Sequence, residues 1–533
     1  MSRTTDPYLQ IVRRDRMTPR QQALVPAHLP RSLTLYEFRQ DPTRLDDINW
    51  QEYGSIAIWS SNGSVIFIIE DQYFKPFWGR HVLFLLSDRL RGSIYGETDA
   101  AIAETATFFW SLQYPEHWGE NHLQIRLGFV PPGNSEFDFA ALLPAQLEQI
   151  LDSTRFITLS AGTFTAEQSV ILATRPYPLN IVLSGRFTFV DQGTAFVHAL
   201  QTRESPFGFL EVIGRRNGRP FSVENLQLLF QLNFILEHLR CHIDDEECAL
   251  LPISAKVNKL HYRMSTNYVR PDDFASIDIE ANDFTLELSV DGNHENWDSL
   301  LIAALHRVAE LGHFERLCFS VFSDYPRKMG FDRVARVVDA LIRAIHANPS
   351  LACLDLSSDR QSVRWSPHFQ PLFQSMEEHP GLRTFVVQSC TRRDEEVYNF
   401  HEPLFQFDFS WLQQLLSSNR RIAVVDRSGQ ICSNGPVIDR MYLLNRFYLG
   451  SESLLQELTA SRPALVPSAL VDRASNNAQY IALLLSHHTD VLCGVVQDFD
   501  VGEVASLQSV SEGEPSSGTL RPNALKREAP SHL

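Results

Sequence analysis

At 533 residues this chain is too long for one compact core, and 64 acidic against 47 basic side chains leave a formal charge of −17. That balance argues against general nucleic-acid binding, while a hydrophobic content of 44% and an aromatic content of 11% exclude a largely disordered protein. Seven scattered cysteines without a C-x-x-C pair point to reduced thiols in an intracellular protein rather than to a disulfide framework.

Residues 1–31 read as a flexible basic arm, because Arg3, Arg13, Arg14, Arg16, Arg20 and Arg31 face only Asp6 and Asp15. This stretch lacks the apolar h-region of a secretory signal, and no later run nears the roughly 18 apolar residues of a membrane span. Residues 32–150 read as a mixed α/β region, unassigned to any motif, either a separate domain or further, eroded repeats. Ile56, Ile58 and Val65–Ile69 predict two strands around a turn at 60–63, so the sequon Asn62-Gly63-Ser64 reads as a hairpin turn rather than a glycan site. His81–Leu86 and His122–Val130 predict further strands, and Glu97–Leu112 and Phe139–Leu151 predict helices. Trp59, Trp78, Trp110 and Trp118 give this region an aromatic density that suits either a pocket or a small core.

Over residues 151–436 an L-x-x-L-x-L spacing recurs. It is clearest at Leu236/Leu239/Cys241, Val257/Leu260/Tyr262, Phe314/Leu317/Phe319, Leu351/Leu354/Leu356 and Leu382/Phe385/Val387. Phe156/Leu159 and Phe207/Leu210/Val212 match it as well, Ile422/Val425 is a decayed form, and weaker strands stand at Ile181–Leu183 and Leu286–Leu288. Alternation sends Leu354 and Leu356 inward and Asp355 and Ser357 outward. Between strands lie helical segments. Val334, Val337, Val338, Leu341, Ile342 and Ile345 form one apolar stripe, with Asp332 as the expected N-cap and Asn348-Pro349 as the stop. Asp191–Leu200, Val223–Leu232, Trp297–Leu311 and Phe409–Leu416 are further helix candidates. A strand-plus-helix unit cannot bury its apolar face alone, so the units must stack.

Residues 156–430 resemble degenerate leucine-rich-repeat proteins of the ribonuclease-inhibitor-like kind. The resemblance implies an α/β solenoid, with parallel strands on a concave side and helices outside, used to recognise other proteins. One departure stands out. The family's Asn or Cys after the last strand leucine is met by Cys390, whereas the corresponding positions hold Asp359, Phe322, Asp244 and Gln430. The unequal steps between strands also fit an irregular α/β fold.

Residues 437–497 predict helices only, read as a cap over the last open face of the solenoid. Residues 498–533 are rich in Ser, Glu, Gly and Pro and predict a disordered tail. The cytoplasm is the expected compartment, and Ser531-His532-Leu533 resembles the S-K-L peroxisomal address as the minority reading.

No G-x-G-x-x-G, Walker loop, G-x-S-x-G or H-E-x-x-H motif occurs, so a familiar enzyme class is not expected, and neither is a cofactor. The run from Cys241 to Cys248 holds Cys, His, Asp and Glu but lacks the partner pair a zinc site needs. The run from Asp291 resembles a calcium loop but has Asn296 and Ile302 where Gly and Glu are required. Asn296 or Asp298 is better used to cap the following helix, and His487-His488 reads as a polar helix end. The sharper candidate is a patch of outward strand residues: His238, Arg240 and His242 in one unit and Lys259, His261 and Arg263 in the next. Stacked in register, they would seat an acidic or phosphorylated segment of another protein. The expected function is a non-catalytic protein-interaction scaffold. The alternative is an enzyme or regulator with its active part in residues 33–150 and the repeats selecting substrate.

Overall fold

The computed structural model describes residues 7–24, 34–53, 55–69, 80–118, 121–126, 137–184, 186–214, 219–290, 296–323, 330–357, 363–388, 408–455, 461–470, 478–491 and 493. The chain divides into two units, Met1–Asn434 and Gly435–Leu533. The expectations for Trp78, the run from Asp291, Asp359, Cys390 and the tail at 498–533 lie outside the described residues.

The first unit is α/β and is built on one large, mostly parallel sheet. Its early strands are β1 (Leu9–Ile11), β2 (Thr34–Phe38), β3 (Ile56–Ser60), β4 (Ser64–Ile69), β5 (His81–Leu86), β6 (Leu90–Gly96) and β7 (His122–Arg126). Then follow β8 (Phe156–Leu159), β9 (Thr163–Phe164), β10 (Leu179–Leu183), β11 (Thr188–Phe189), β12 (Gly208–Gly214) and β13 (Leu236–Ile243). The last are β14 (Lys259–Ser265), β15 (Asp283–Val290), β16 (Arg316–Ser323), β17 (Cys353–Asp355), β18 (Thr384–Val387) and β19 (Ala423–Asp426). β1 runs antiparallel to β2, and β2 parallel to β3. From β3 the antiparallel order is β4, β6, β5, β7. From β7 onward every pairing is parallel and follows chain order through β8, β10, β12 and on to β19. β9 and β11 form a separate parallel pair.

Within the stretch expected to be a flexible arm, Leu9–Ile11 pairs with β2, and Arg20 donates to both carboxylate oxygens of Glu97 at 2.6 and 2.7 Å. The turn at 60–63 joins β3 to β4. Gly63 adopts φ +90° there, and Asn62 accepts from Ser64 N while its Nδ2 donates to Thr105 Oγ1 at 2.9 Å. The amide of Asn62 is thus used inside the fold. Trp110 is buried with Phe84 and Phe109, and Trp59 packs on Leu35, Ala57, Val65, Phe67 and Tyr95, so both serve the core.

The apolar stripe of the helix Phe331–Ala347 is buried at Val334, Val337, Val338, Leu341 and Ile345. Its N-cap is Gly330 rather than Asp332, which sits in the first turn. Asn296 holds the N-cap position of the helix Trp297–Leu311, without a capping side-chain hydrogen bond, and Asp298 is not a cap. It is buried in the helix Trp297–Leu311, where Arg333 pairs with it and Arg336 donates at 2.7 Å, tying two successive helices together. Five cysteines, Cys241, Cys248, Cys318, Cys353 and Cys493, are free thiols, whereas Cys432 is disulfide-bonded, contrary to an all-reduced set.

A chain of polar side chains joins the ends of successive helices. Asn348, with no exposed surface, donates to Val308 O and Ala344 O at 3.3 and 2.8 Å and accepts from Phe314 N at 3.0 Å. His379 holds the equivalent place one unit on. Its Nε2 reaches Ile345 O and Asn348 O, both at 3.1 Å, and its Nδ1 accepts from Gly381 N and Leu382 N at 3.2 and 3.0 Å. Asn419 continues with Nδ2 donating to Met376 O and His379 O at 2.9 and 3.3 Å. Each adds side-chain hydrogen bonds to carbonyls at or just after a helix end, most of which also accept from a backbone N–H of the following turn.

The second unit contains the helices Pro436–Leu455, Arg462–Ala469 and Ala478–His487. His488 is buried rather than a solvated helix end. Its Nε2 lies 2.9 Å from Ser451 O, and Arg462 Nε donates to its Nδ1 at 3.3 Å. No described helix is long and apolar enough to cross a membrane.

Two outcomes are expected from the polar chain. Asn348→Ala removes the side-chain partner of the buried Phe314 N–H and of the Ala344 carbonyl and should lower the unfolding free energy by roughly 2–4 kcal/mol in denaturant titration. His379 accepts at Nδ1 from two N–H groups, so a proton there would meet two donors. Burial, with lesser effects from His346 and Arg383, holds its pKa below the ordinary histidine value against the opposing pull of the two carbonyls. The stabilisation it supplies is therefore present above about pH 6.5 and lost as pH falls toward the folded value. His379→Asn should flatten that part of the stability–pH curve, read as thermal midpoints across the acid range.

Candidate interaction face

The face opposite the core is made by strand alternation. In β12, the sequence GFLEVIG buries Gly208, Leu210, Val212 and Gly214 and leaves Phe209, Glu211 and Ile213 half-buried. β13 turns His238, Arg240 and His242 to the same side while Leu239, Cys241 and Ile243 are buried. β14 does likewise with Lys259, His261 and Arg263 around buried Leu260 and Tyr262.

Parallel pairing sets His238 beside Lys259, Arg240 beside His261, and His242 beside Arg263. All six residues singled out from the sequence therefore lie together on one face of two adjacent strands. Three rows extend from them across the sheet. On one side they continue into Phe209, Glu211 and Ile213 of β12. On the other they continue into Asp283, Thr285 and Glu287 of β15, then Arg316, Cys318 and Ser320 of β16. Cys353 and Asp355 of β17 follow.

Seen this way the charge alternates across the sheet. Arg240 Nε lies 3.6 Å from Glu211 Oε1. His261 Nε2 lies 3.2 Å from Glu287 Oε1, at ion-pair distance but off the axis of a hydrogen bond. Arg316 spans two acids, at 3.7 Å from Asp283 and 3.0 Å from Asp355. His242 Nε2 is 3.3 Å from Asp244 Oδ1, and the guanidinium of Arg263 lies 5.4 Å from the centre of the Phe322 ring. Arg240, Lys259, Arg263 and Arg316 are thus matched in number by Glu211, Asp283, Glu287 and Asp355. The two central strands are basic, their surroundings are acidic, and the face as a whole is balanced.

Sequence reasoning about β13 and β14 alone missed Glu211, Asp283, Glu287 and Arg316. The signal was present in the alternation of GFLEVIG and DFTLELSV, whose outward positions carry the acids.

Partial burial tunes these groups. Burial, helped by the charges of His261, Lys259 and Arg240, lowers His238 to about 4, so its ring is neutral at ordinary pH. Burial pushes Glu211 up against the pull of Arg240 and His261. Asp283 is likewise raised by burial, against Arg316 and Lys259. Burial alone would raise Glu287 as well, but contact with His261 and the charges of Arg240 and Arg263 outweigh it and hold Glu287 below its usual range. Burial also pushes the Cys318 thiol up, so it is a poor nucleophile.

The Cys241–Cys248 run does not converge. Cys241 is buried in the core, and Cys248 is buried where Arg219 Nη1 donates to its Sγ at 2.9 Å. Asp244, Asp245, Glu246 and Glu247 line an open hollow of about 600 Å³ with Tyr268. Among the described residues, no three His, Cys, Asp or Glu side chains come together as a metal-ligand set. No family model and no curated protein matches the chain.

The ring of His238 should titrate near pH 4 when followed by its NMR carbon-bound protons. Replacing either neighbouring cation, by Arg240→Gln or Lys259→Gln, removes a charge that opposes protonation and should move that midpoint upward.

Proposed function

We propose that this chain is a non-catalytic interaction protein, a leucine-rich-repeat-like solenoid that binds another protein on the open face of its parallel strands. The observation that carries the reading is the register. Side chains from successive strands form three continuous rows, in which exposed and half-buried charged, polar and aromatic groups replace the apolar residues of the opposite face. Such a surface supplies many fixed contacts with little rearrangement of backbone, which lowers the ordering cost of association. The partner presents an acidic or phosphorylated segment to His238, Arg240, His242, Lys259, His261 and Arg263. Because Arg240 and His261 already face Glu211 and Glu287, the incoming anion competes with internal carboxylates. The face therefore discriminates by geometry more than by net charge.

The test is a quantitative capture of partners by the intact chain and by Arg240→Glu/Lys259→Glu/Arg263→Glu, after circular dichroism shows both to be folded. Partners lost from the charge-reversed chain alone are expected, and their retention should fall with added salt, since screening acts over about 8 Å at physiological ionic strength. An unchanged partner set for a folded variant would remove the face from consideration.

A further inference from the structure

The row that begins the open face changes chemistry part-way across the sheet. Pairing places His122 of β7 beside Phe156 of β8, Phe156 beside Asn180 of β10, Asn180 beside Phe209 of β12, and Phe209 beside His238 of β13. The rings touch one another. His122 stacks on Phe156 with centres 4.0 Å apart, Phe156 meets Phe209 edge-on at 6.5 Å across Asn180, and Phe209 lies 4.7 Å from His238. Asn180 is exposed, and the four rings are half-buried. Four strand spacings make this aromatic stretch about 19 Å long, the reach of about six extended residues.

The next residue in the row is Lys259, with Arg240 diagonal to it. The field at His238 is positive. Lys259, Arg240 and His261 each act on His238 in the same sense, opposing its protonation. Two carboxylates are near: Glu211, which Arg240 engages at 3.6 Å, and Asp283, which follows Lys259 in the row. An anion arriving on the His238 side of Lys259 thus meets the cations of β13 and β14, with Asp283 on the far side of Lys259, and the same row offers ring faces and edges to apolar groups that precede it.

We propose that this row receives an extended segment of a partner protein whose apolar side chains lie over Phe156 and Phe209 and whose carboxylate sits against Lys259. The assignment rests on the reading of the open face as the binding surface, and it adds a direction: apolar end over β8 to β12, acidic end over β14. A ring row alone would take any apolar chain, and a lysine alone any anion. Their order along one row selects a sequence in which the two follow each other.

The experiment measures fluorescence anisotropy of three labelled peptides titrated with the full chain. The peptides are Pro-Leu-Pro-Leu-Pro-Leu-Glu-Glu, the same apolar run ending in Lys-Lys, and Gly-Ser-Gly-Ser-Gly-Ser-Glu-Glu. The first is expected to bind most tightly. Phe156→Ser/Phe209→Ser should weaken it by about thirtyfold, the scale of losing two anchoring side chains. Asn180→Glu, which sets a charge between the rings on an exposed position, should do the same without touching the core. Lys259→Glu should abolish the preference for the Glu-Glu over the Lys-Lys end. Equal binding of all three peptides, or indifference to Asn180→Glu, would overturn the assignment. Partners captured by the intact chain separate the two claims. If they are lost on Arg240→Glu/Lys259→Glu/Arg263→Glu but kept by Asn180→Glu and by the ring variant, the open face stands and the ring row falls. If no variant loses them, both fall.

Discussion

The amide of Asn348 satisfies two carbonyls and one N–H in a place where water does not reach. Those groups belong to the ends of two successive helices and to the backbone just before β16. The side chain therefore fixes where one unit ends relative to the next strand. His379 and Asn419 repeat the arrangement, each reaching back to carbonyls of the unit before it. With the helix ends held in this way, β16 to β19 enter the sheet in step, and their parallel registers follow. The loss of one such amide costs more than a surface contact because the orphaned groups remain buried.

The rows of the open face are a second-order product of that registration. No strand contributes more than a few side chains to them, and neighbours in a row are separated by some twenty to forty residues in sequence. The charge pattern has meaning only at this level. β13 and β14 read alone as a basic patch, and the whole face reads as basic strands bordered by Glu211 on one side and by Asp283 and Glu287 on the other. A balanced face has weak long-range attraction and strong short-range demands, which favours selectivity of fit over speed of encounter.

What could be seen in the sequence follows the same division. Local alternation was legible: it separates Leu354 from Asp355 and Leu239 from Arg240, and the helical stripe from Val334 to Ile345 is plain in the residues themselves. Features that depend on a distant partner were not. Leu9–Ile11 is three residues among arginines and becomes a strand only because β2 lies beside it. Asn348 resembled a stop signal, and the carbonyls it joins belong to segments that sequence spacing does not bring together. Asp298 looked like a helix cap until two arginines from the next helix were placed against it. The aromatic row escaped notice for the same reason, since Phe156 and Phe209 are ordinary strand residues until Asn180 is set between them.

The strands and the connections between them are under different constraints. Successive strand starts from β8 onward are unevenly spaced along the chain, so the connections have room to gain or lose residues, and closing a longer loop costs little. Within a strand the opposite holds. One inserted residue in β13 would send Arg240 and His242 into the core and bring Cys241 to the surface, erasing a whole column of the face at once. Over evolutionary time such a protein can drift in length while its strands stay in phase, and its lineage would be recognised by the parity of its strand residues long after the spacing between strands had blurred.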